Sequence, residues 1–240
     1  KNNMIKEKKI LAITLARGGS KSVPKKNIKQ ICGKPLITYT IKEALKSSYI
    51  DDYIVSTDDN EIKSIAENYK ANVPFLRPSD LSDDKSSSSS ALIHAVNFME
   101  ELNGFRYDFI VELMCTNPLK NKHDIDSIIE KACETNAESV IAVHKLDDHH
   151  PARIKKIEND RIVDFCVDEP NEARRQDLRP FAYIRSGSIY CMRRDFLMQK
   201  GMRYGGDDSR PYILPDERAV NIDTPYDFML AKLIIGNKDI

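Results

Sequence analysis

Residues 10–27 read ILAITLARGGSKSVPKKN and join a mainly apolar run to a basic loop that contains two glycines. The apolar run predicts a β-strand over Lys9–Leu15, because a short run of this kind suits a strand buried on both faces of a sheet. From Arg17 to Lys34 there are six basic residues and no acidic one. Paired glycines let backbone N–H groups approach a ligand closely, and Lys and Arg neutralise phosphate charge. The stretch therefore predicts a phosphate-binding loop at the end of a strand.

This loop differs from the two common phosphate-binding motifs. Lys21 follows Ser20 rather than a glycine, so the G-x-x-x-x-G-K-[ST] spacing of a P-loop is missing. The G-x-G-x-x-G spacing of a dinucleotide fold is missing as well. The alternative is a solvated basic loop without a ligand, which is the ordinary role of a run of like charges.

The rest of the chain alternates strand-like and helix-like segments. Predicted strands are Tyr53–Thr57, Phe109–Met114, Ser139–His144 and Tyr183–Met192, and predicted helices are Leu36–Ser47, Asn60–Tyr69, Ala91–Leu102, Asp124–Thr135 and Tyr226–Ile235. Repeated strand–helix units favour a mostly parallel sheet with right-handed crossovers, which is an α/β fold. Ligands of such sheets bind beyond the carboxyl ends of the strands, so the residues after each strand are candidate site positions.

Residues 145–182 interrupt the alternation. The segment is charged, contains three prolines and offers only a short strand candidate at Arg161–Val167. It is interpreted as an arm inserted into a single domain that spans residues 1–240, because no linker-like stretch divides the chain.

Polar residues precede two of the predicted helices. Ser86–Ser90 is interpreted as the N-cap region of the helix that follows, with a flexible linker as the alternative. Asp58 and Asp59 close the second predicted strand, where helix capping is favoured over contact with a ribose or a metal. Each capping role is local and requires no ligand.

Composition restricts the class of protein. The 37 Lys and Arg balance 37 Asp and Glu, so net charge favours neither nucleic acid nor membrane as a partner. Apolar residues make up 41% of the chain, enough for a core, and the early apolar run Ile10–Ala16 is too short for a membrane span or a signal peptide. Five cysteines without a C-x-x-C pair indicate free thiols in a reducing compartment. These features predict a cytoplasmic enzyme.

Several segments, in their order and rough spacing, resemble the acylneuraminate cytidylyltransferases. The matching segments are Ala16–Lys21 with Pro24, Lys26 and Asn27, then Val55–Asp58, Arg77-Pro78 with Leu81 and Asp84, Ser87-Ser88 with His94, Thr116–Leu119, His149–Pro151, Gly187–Tyr190 and Ile222–Thr224. The resemblance covers nearly the whole chain. It implies a Rossmann-like nucleotidyltransferase sheet, CTP and an acidic sugar as substrates, Mg²⁺ as cofactor, and a homodimer whose arm contributes to the neighbouring site.

The resemblance also implies a set of nucleotide-binding residues. They are Ala16, Arg17, Gly18, Gly19, Ser20, Lys21, Lys26, Asn27, Arg77, Ser86 and Ser88. Arg17 and Lys21 are expected to act in catalysis by stabilising the triphosphate and the leaving pyrophosphate, and Asn27 to contact the ribose. Without the resemblance, Arg77 would be an ordinary surface residue.

Asp223 is the expected metal ligand. On sequence alone its role is helix capping, because Pro225 suits the first turn of the last helix. The resemblance makes Asp223 a catalytic residue and the main protein ligand of Mg²⁺, a cation that favours one or two carboxylates with phosphate oxygens and water. Many relatives carry a second Asp where this chain has Asn221, so Asn221 is at best a weak ligand.

Residues for the acidic sugar come from two regions. The resemblance points to Met114, Thr116, Asn117, Arg153, Arg175, Gln176 and Tyr190. The planar guanidinium fork of arginine suits a carboxylate. The alternative is that the arginines of the arm pair with Asp147, Asp148, Glu169 and Glu172 on a wet surface.

Met114 is the clearest departure from the sialic acid enzymes, which carry Gln at that position. Loss of such a partner would leave a sugar hydroxyl or amide unsatisfied. The change therefore indicates a less hydroxylated sugar, such as legionaminic or pseudaminic acid.

These implications define an expected reaction. The anomeric hydroxyl of a nine-carbon 2-keto sugar acid of the sialic acid type attacks the α-phosphate of CTP and releases pyrophosphate, helped by charge neutralisation and positioning. Alternatives are the same reaction on legionaminic or pseudaminic acid, or on an eight-carbon 3-deoxy sugar acid, and a non-catalytic nucleotide-binding regulator. Nucleic-acid binding is disfavoured, because net charge is zero and the basic loop lacks aromatic residues.

Overall fold

A six-stranded sheet forms the centre of the fold. The computed structural model describes residues 5, 7–20, 23–83, 86–170 and 174–237. Its strands are β1 (Ile10–Leu15), β2 (Gln30–Ile31), β3 (Lys34–Pro35), β4 (Asp52–Ser56), β5 (Phe109–Leu113), β6 (Ser139–Lys145), β7 (Lys155–Glu158), β8 (Arg161–Asp164), β9 (Tyr183–Arg193) and β10 (Ser209–Ile213). Its α-helices are α1 (Ile37–Ala44), α2 (Asn60–Asn68), α3 (Ser88–Asn103), α4 (Lys122–Thr135), α5 (Arg194–Lys200) and α6 (Pro225–Gly236). Within these ranges, no helix has both the length and the apolar character needed to cross a membrane.

The strand order of the central sheet is β10-β6-β9-β5-β1-β4. Strands β4, β1 and β5 are parallel, as are β6 and β10, whereas β9 runs antiparallel between β5 and β6. The prediction of a mostly parallel α/β sheet is confirmed. Because the carboxyl ends of β1, β4 and β5 lie at one edge, the loops that follow these strands meet there.

Apolar layers cover both faces of the sheet. On one face, Ile10 lies in the same buried cluster as Ile41 of α1 and Ile129 of α4. On the other, Ile13 is buried together with Leu92 of α3. Successive residues of a strand point to opposite faces, so a strand covered on both sides needs apolar residues throughout. This explains the mainly apolar composition of β1.

Side-chain caps begin α2 and α3. Asp59 accepts hydrogen bonds from the N–H groups of Glu61 and Ile62, and Ser87 accepts one from the N–H of Ser90 at 3.0 Å. The capping interpretation is confirmed for the serine run and for Asp59, whereas Asp58 does not cap the helix and instead accepts the N–H of Gly18. The flexible-linker alternative for the serine run is wrong, because the run leads directly into α3.

The cap of α6 falls one residue later than the sequence alone indicates. Thr224 accepts the N–H of Asp227 at 3.2 Å, and the Asp227 carboxylate accepts the N–H of Thr224 at 2.7 Å, which forms a capping box. Pro225 then occupies the first helical turn. The capping role considered for Asp223 is therefore wrong, and its carboxylate lies outside the helix.

The sequence analysis missed α5 and β10. Among the described strands, β10 lies at the edge of the sheet beside β6, contains Pro211 and has no fully buried residue. Such an edge strand lacks the apolar run that indicates a central strand. Helix α5 has seven residues, too few to establish a helical period.

Between β6 and β9 the chain leaves the central sheet. Strands β7 and β8 form an antiparallel hairpin whose turn residues, Asn159 and Asp160, both have positive φ, as a tight two-residue turn requires. The predicted strand Arg161–Val167 ends at Asp164. Ile157 and Ile162 are directly paired and are 78% and 76% exposed. The hairpin therefore presents apolar side chains outside the core.

Candidate active site

The loop after β1 is anchored to the end of β4. The N–H of Gly18 donates to the Asp58 carboxylate at 3.1 Å, and the side-chain amide of Asn27 donates to the carbonyl of Arg17 at 3.0 Å. A Cβ on Gly18 would lie 2.6 Å from a carboxylate oxygen of Asp59, so a larger residue here would have to displace the side chain that caps α2. The predicted ribose ligand Asn27 is buried and holds the loop in place.

The remaining predicted residues of this loop differ in exposure. Ala16 is buried at the end of β1, Gly19 is exposed and Ser20 is half-buried. Lys21 lies outside the described residues. Its predicted role stays a prediction.

A cavity of about 280 Å³ lies beside the loop. Its lining includes Arg17, Arg77, Ser86, Ser88, Glu112 and Met114. Four of these are predicted nucleotide-binding residues, and Met114 is a predicted sugar-binding residue. The fold thus gathers residues from three separate loops around one space.

Arg77 supplies a buried cation to the wall of this cavity. The residue is only 6% exposed, its Nε donates to Ser82 Oγ at 3.1 Å, and its Nη2 lies 3.7 Å from the Asp58 carboxylate. Burial lowers the pKa of the Arg77 guanidinium, and Asp58 opposes that shift. The alternative that Arg77 is an ordinary surface residue is wrong. A buried cation with one distant carboxylate suits an anionic or polar ligand.

The serines at the start of α3 form another part of the cavity wall. Ser86 Oγ is hydrogen-bonded to the Asp83 carboxylate at 2.5 Å and to the carbonyl of Asp80 at 2.6 Å, so its side chain holds the loop before the helix. Ser88 is the first residue of α3 and lines the cavity. Contacts of Ser86 and Ser88 with a nucleotide stay predictions.

Lys26, Asn221 and Asp223 form a second polar cluster. The Lys26 ammonium donates to the carbonyl of Ile222 at 2.7 Å and lies 3.3 Å from the Asp223 carboxylate. The side chain of Lys26 is 12% exposed, whereas that of Asp223 is 66% exposed. Asp223 therefore offers an accessible carboxylate to a cation.

The amide of Asn221 orients this carboxylate. Asn221 Nδ2 donates to Asp223 Oδ2 at 2.5 Å. Asn221 Oδ1 is buried without a partner among the described residues, and a Cβ on Gly187 would lie 2.9 Å from it. In this orientation the nitrogen, which cannot ligate a cation, faces Asp223, and a direct contact of Asn221 with a metal stays a prediction.

The donor set fits Mg²⁺ shared with a substrate. Mg²⁺ is commonly held by one or two carboxylates together with substrate phosphates. Asp223 supplies one accessible carboxylate, and the described part of the chain contains no cluster of three or more His, Cys, Asp or Glu suited to a metal. A cation here would therefore need oxygen ligands from a bound phosphate.

Asn117 and Thr116 shape the turn after β5. Asn117 is fully buried, its amide donates to the carbonyl of Arg218 at 2.8 Å, and its side-chain oxygen accepts the N–H groups of Leu119 and Lys120. The carbonyl of Thr116 accepts a backbone N–H of the segment that carries Asp223. The polar atoms of the Asn117 side chain are thus used inside the protein.

Lys120 fixes the same turn from within and was missed by the sequence analysis. Its buried ammonium donates to Thr40 Oγ1 at 2.8 Å and to the carbonyls of Met114 and Asn117 at 2.6 Å each. Burial lowers the pKa of Lys120 to about 7. No sequence signal identified it, because a lysine beside a turn is usually exposed.

Glu112 is a second residue that the sequence analysis missed. Its side chain is 2% exposed, belongs to the next-to-last residue of β5 and accepts a hydrogen bond from Arg203 Nη1 at 2.6 Å. Burial raises the pKa of the Glu112 carboxyl, and Arg203 opposes that shift. The sequence did carry a signal for Glu112, because a carboxylate within an apolar run must find a partner when it is buried. An unpaired buried charge is costly. Tyr190, predicted to bind sugar, is paired directly with Glu112 across β5 and β9.

The predicted residues of the arm do not line this cavity. Arg153 Nε lies 3.8 Å from Glu169, and Arg175 is paired with Asp148. Arg175 and Gln176 line a separate cavity of about 240 Å³. Within one chain, Arg153 and Arg175 therefore pair with acidic residues at the surface, which is the alternative to binding the sugar.

Comparisons with known proteins agree with this arrangement. A family model for cytidylyltransferases matches residues 11–209. The pseudaminic acid cytidylyltransferase of Campylobacter jejuni subsp. jejuni serotype O:23/36 (strain 81-176) is 34% identical over 233 residues, which cover 94% of this chain and 96% of that protein. The CMP-N,N'-diacetyllegionaminic acid synthase of Legionella pneumophila subsp. pneumophila is 30% identical over 233 residues, 95% of this chain and 96% of that protein.

A solved structure shares the fold. The CMP:2-keto-3-deoxy-manno-octonic acid synthetase complexed with CTP superposes with a TM-score of 0.69 at 16% identity, covering 96% of this chain and 99% of that one. The predicted Rossmann-like nucleotidyltransferase sheet and the family resemblance are confirmed. The chain therefore belongs to the cytidylyltransferase family of CTP-dependent nucleotidyltransferases.

Proposed function

We propose that this enzyme transfers CMP from CTP to the anomeric hydroxyl of a nine-carbon 2-keto sugar acid and releases pyrophosphate. The observation that carries the proposal is the cavity that Arg17 and Arg77 share with Met114 and Glu112. Cations at one end suit a nucleotide, and the wall formed by β5 remains for a second substrate. The names of the two bacterial relatives, a pseudaminic acid cytidylyltransferase and a CMP-N,N'-diacetyllegionaminic acid synthase, support a sugar acid in that place.

The nucleotide half of the reaction depends on charge neutralisation. Arg17, Lys21 and Lys26 offset the charge of the triphosphate and of the leaving pyrophosphate, since phosphoryl-type transfer is promoted mainly by positioning and electrostatic stabilisation. Arg77 and the start of α3 bind the cytidine end of CTP. Gly18 keeps the loop close to β4 so that these groups converge on one triphosphate.

Asp223 would hold Mg²⁺ together with phosphate oxygens of CTP. The ion, when bound, neutralises phosphate charge and helps to orient the α-phosphate. The exposed Asp223 carboxylate, oriented by the amide of Asn221, supports this assignment. Lys26 lies beside the same carboxylate and balances its charge.

The acceptor is an acid of the pseudaminic or legionaminic type. Met114 lines the cavity with a thioether where an amide would serve a more hydroxylated sugar. The relatives named for these acids are 34% and 30% identical over nearly the whole chain, which supports the same acceptor class.

The arm completes the site in a homodimer. Ile157, Ile162 and Phe165 of the arm are 78%, 76% and 61% exposed, which is costly for large apolar side chains in water. Burial against a second copy would remove this cost and bring Arg153 toward the acidic sugar in the neighbouring site.

The test is pyrophosphate release from CTP and Mg²⁺ with a panel of acids. The panel contains N-acetylneuraminic, N,N'-diacetyllegionaminic, pseudaminic and 2-keto-3-deoxy-manno-octonic acid. Selective turnover of pseudaminic or legionaminic acid is expected. Preference for the eight-carbon acid would overturn the acceptor assignment, and absence of turnover with bound CTP would overturn the reaction.

A further inference from the structure

Lys120 closes the turn after β5 from inside the protein. The residue is 2% exposed, and within the described ranges no carboxylate lies at ion-pair distance from its Nζ. Nζ contacts three oxygens, Thr40 Oγ1 at 2.8 Å and the carbonyls of Met114 and Asn117 at 2.6 Å each, which matches the three donors of an ammonium group. Burial lowers the pKa of Lys120 to about 7, and a neutral amine keeps both carbonyl bonds when the Thr40 hydroxyl donates to it. An apolar residue would leave both carbonyls unpaired, so Nζ fixes two main-chain atoms of one turn together.

The turn after β5 also holds the segment that carries Asp223. The side-chain amide of Asn117 donates to the carbonyl of Arg218 at 2.8 Å, and the N–H of Ile222 donates to the carbonyl of Thr116 at 2.7 Å. Asp223 follows Ile222 directly and presents the exposed carboxylate of the proposed metal site. A displacement of the turn would therefore move this carboxylate.

The same turn places Met114 in the wall of the cavity. The N–H of Met114 donates to the carbonyl of Ser188 on β9 at 3.0 Å, its carbonyl accepts from Lys120, and its side chain lines the cavity. Both polar main-chain atoms of Met114 are thus bonded. The position of its side chain therefore follows the position of the turn.

The nucleotide end of the cavity is anchored by other bonds. The N–H of Gly18 donates to the Asp58 carboxylate, and the Asn27 amide donates to the carbonyl of Arg17. These bonds lie within the loop after β1 or join it to the end of β4, and they involve no residue of the turn after β5. A change at Lys120 should therefore leave the nucleotide end in place.

We infer that Lys120 is a positioning residue for the transfer reaction, whose buried Nζ holds the turn that sets both Met114 in the acceptor wall and Asp223 in the metal segment. Lys120 lies behind the turn and does not line the cavity, so it acts through these two residues. The inference rests on the proposed function, which gives Met114 and Asp223 their roles. It deepens that function, because one buried amino group links the acceptor end of the site to its metal end.

The test variant is Lys120→Met, which has a side chain of similar length without the amino group. It is assayed with the acid that wild type turns over fastest. We expect kcat to fall about tenfold to a hundredfold and the Mg²⁺ concentration for half-maximal activity to rise about threefold or more, because small displacements of catalytic groups are costly. The Kd of CTP measured in EDTA should stay within about twofold of wild type. A general loss of structure would weaken CTP binding as well, so this split identifies positioning.

A second variant keeps the inference testable where Lys120→Met does not fold. Thr40→Val removes one of the three oxygens around Nζ and leaves both carbonyl partners in place. We expect a smaller change in the same direction, with lower kcat, a higher Mg²⁺ requirement and unchanged CTP affinity.

The matched control is Tyr107→Phe. The Tyr107 side chain is buried before the amino end of β5, and its hydroxyl donates to the Asp52 carboxylate at 2.7 Å. Loss of this buried hydrogen bond should lower stability but leave kcat, the Mg²⁺ requirement and CTP affinity as in wild type.

Two results would overturn the inference. One is wild-type kcat and Mg²⁺ dependence in Lys120→Met, or in Thr40→Val where Lys120→Met does not fold. The other is a loss of CTP affinity as large as the loss of kcat, since the residue would then support the whole site rather than position two of its parts. Absence of wild-type turnover with all four acids would overturn the proposed function, and the inference with it.

Discussion

Gly18 shows how closely the loop after β1 packs against the end of β4 beside it. A Cβ at this position would lie 2.6 Å from an Asp59 oxygen, whereas a Cβ on Gly19 meets nothing within 4 Å. We therefore expect Gly18→Ala to displace the loop and lower kcat/KM for CTP about tenfold to a hundredfold, because small misplacements of catalytic groups are costly. Gly236→Ala on α6 is the control and should change kcat/KM little, because a Cβ there would meet only Cys32 Sγ at 3.7 Å. Equal effects of the two substitutions would show that the close approach at Gly18 does not matter.

Lys120 gives a prediction about pH. Its pKa is lowered from 10.5 to about 7 by burial, so between these values the unfolded chain holds a proton that the folded protein lacks. The free energy of unfolding should therefore rise with pH over this window, and this contribution is lost as pH falls through 7. Urea unfolding of wild type and Lys120→Met from pH 7 to 10 tests it. Parallel pH profiles of the two proteins would contradict the shift.

The sequence indicated the nucleotide-loop residues but not Glu112 or Lys120. Arg17 and Gly18 stand in a local basic and glycine-containing pattern, which is readable without a structure. Glu112 and Lys120 acquire their properties from burial by distant elements, including Arg203 and Thr40. A single sequence does not show such long-range partners.

At the scale of elements, the segment before α6 separates the proposed metal role of Asp223 from the folding role of Asp227. Asp227 accepts hydrogen bonds from the N–H groups of Asp223 and Thr224, whereas the Asp223 carboxylate is exposed. We expect Asp223→Asn to lower Mg²⁺-dependent kcat/KM about a hundredfold or more with little change in Tm.

Asp227→Asn provides the contrasting variant. Loss of the capping box should lower the free energy of unfolding by about 1 kcal/mol while the Mg²⁺ dependence remains. The two measurements are a Mg²⁺ titration of activity and a thermal unfolding curve. A normal Mg²⁺ titration in Asp223→Asn would remove Asp223 from the metal site.

Strands were predicted correctly from the sequence where both of their faces are buried. Strands β1 and β5 are covered on both faces and leave apolar runs that predict them directly. Strand β10 is an edge strand with Pro211, and the β7–β8 hairpin exposes its apolar residues, so neither follows the pattern of a central strand. The sequence showed that residues 145–182 interrupt the alternation of strands and helices. It did not show the β7–β8 hairpin within that segment.

At the scale of the whole molecule, the exposed apolar residues of the arm lead us to expect a homodimer. We expect a solution mass of twice 27.4 kDa, and loss of the dimer in the double variant Ile157→Lys with Ile162→Lys, because two charges would replace the exposed apolar pair. Activity should fall with the dimer, since Arg153 would no longer reach the partner's site. Leu102→Lys is the control, as Leu102 is 61% exposed on α3. A wild-type monomer, measured by light scattering, would contradict the prediction.

The central claim is that the anomeric hydroxyl of a sugar acid attacks the α-phosphate of CTP. The most direct measurement is the mass spectrum of the products formed from CTP and an acid whose anomeric oxygen carries ¹⁸O. The account predicts a CMP-sugar that retains the ¹⁸O and pyrophosphate that contains none. A CMP-sugar without the label, or no CMP-sugar from an enzyme that binds CTP, would contradict it.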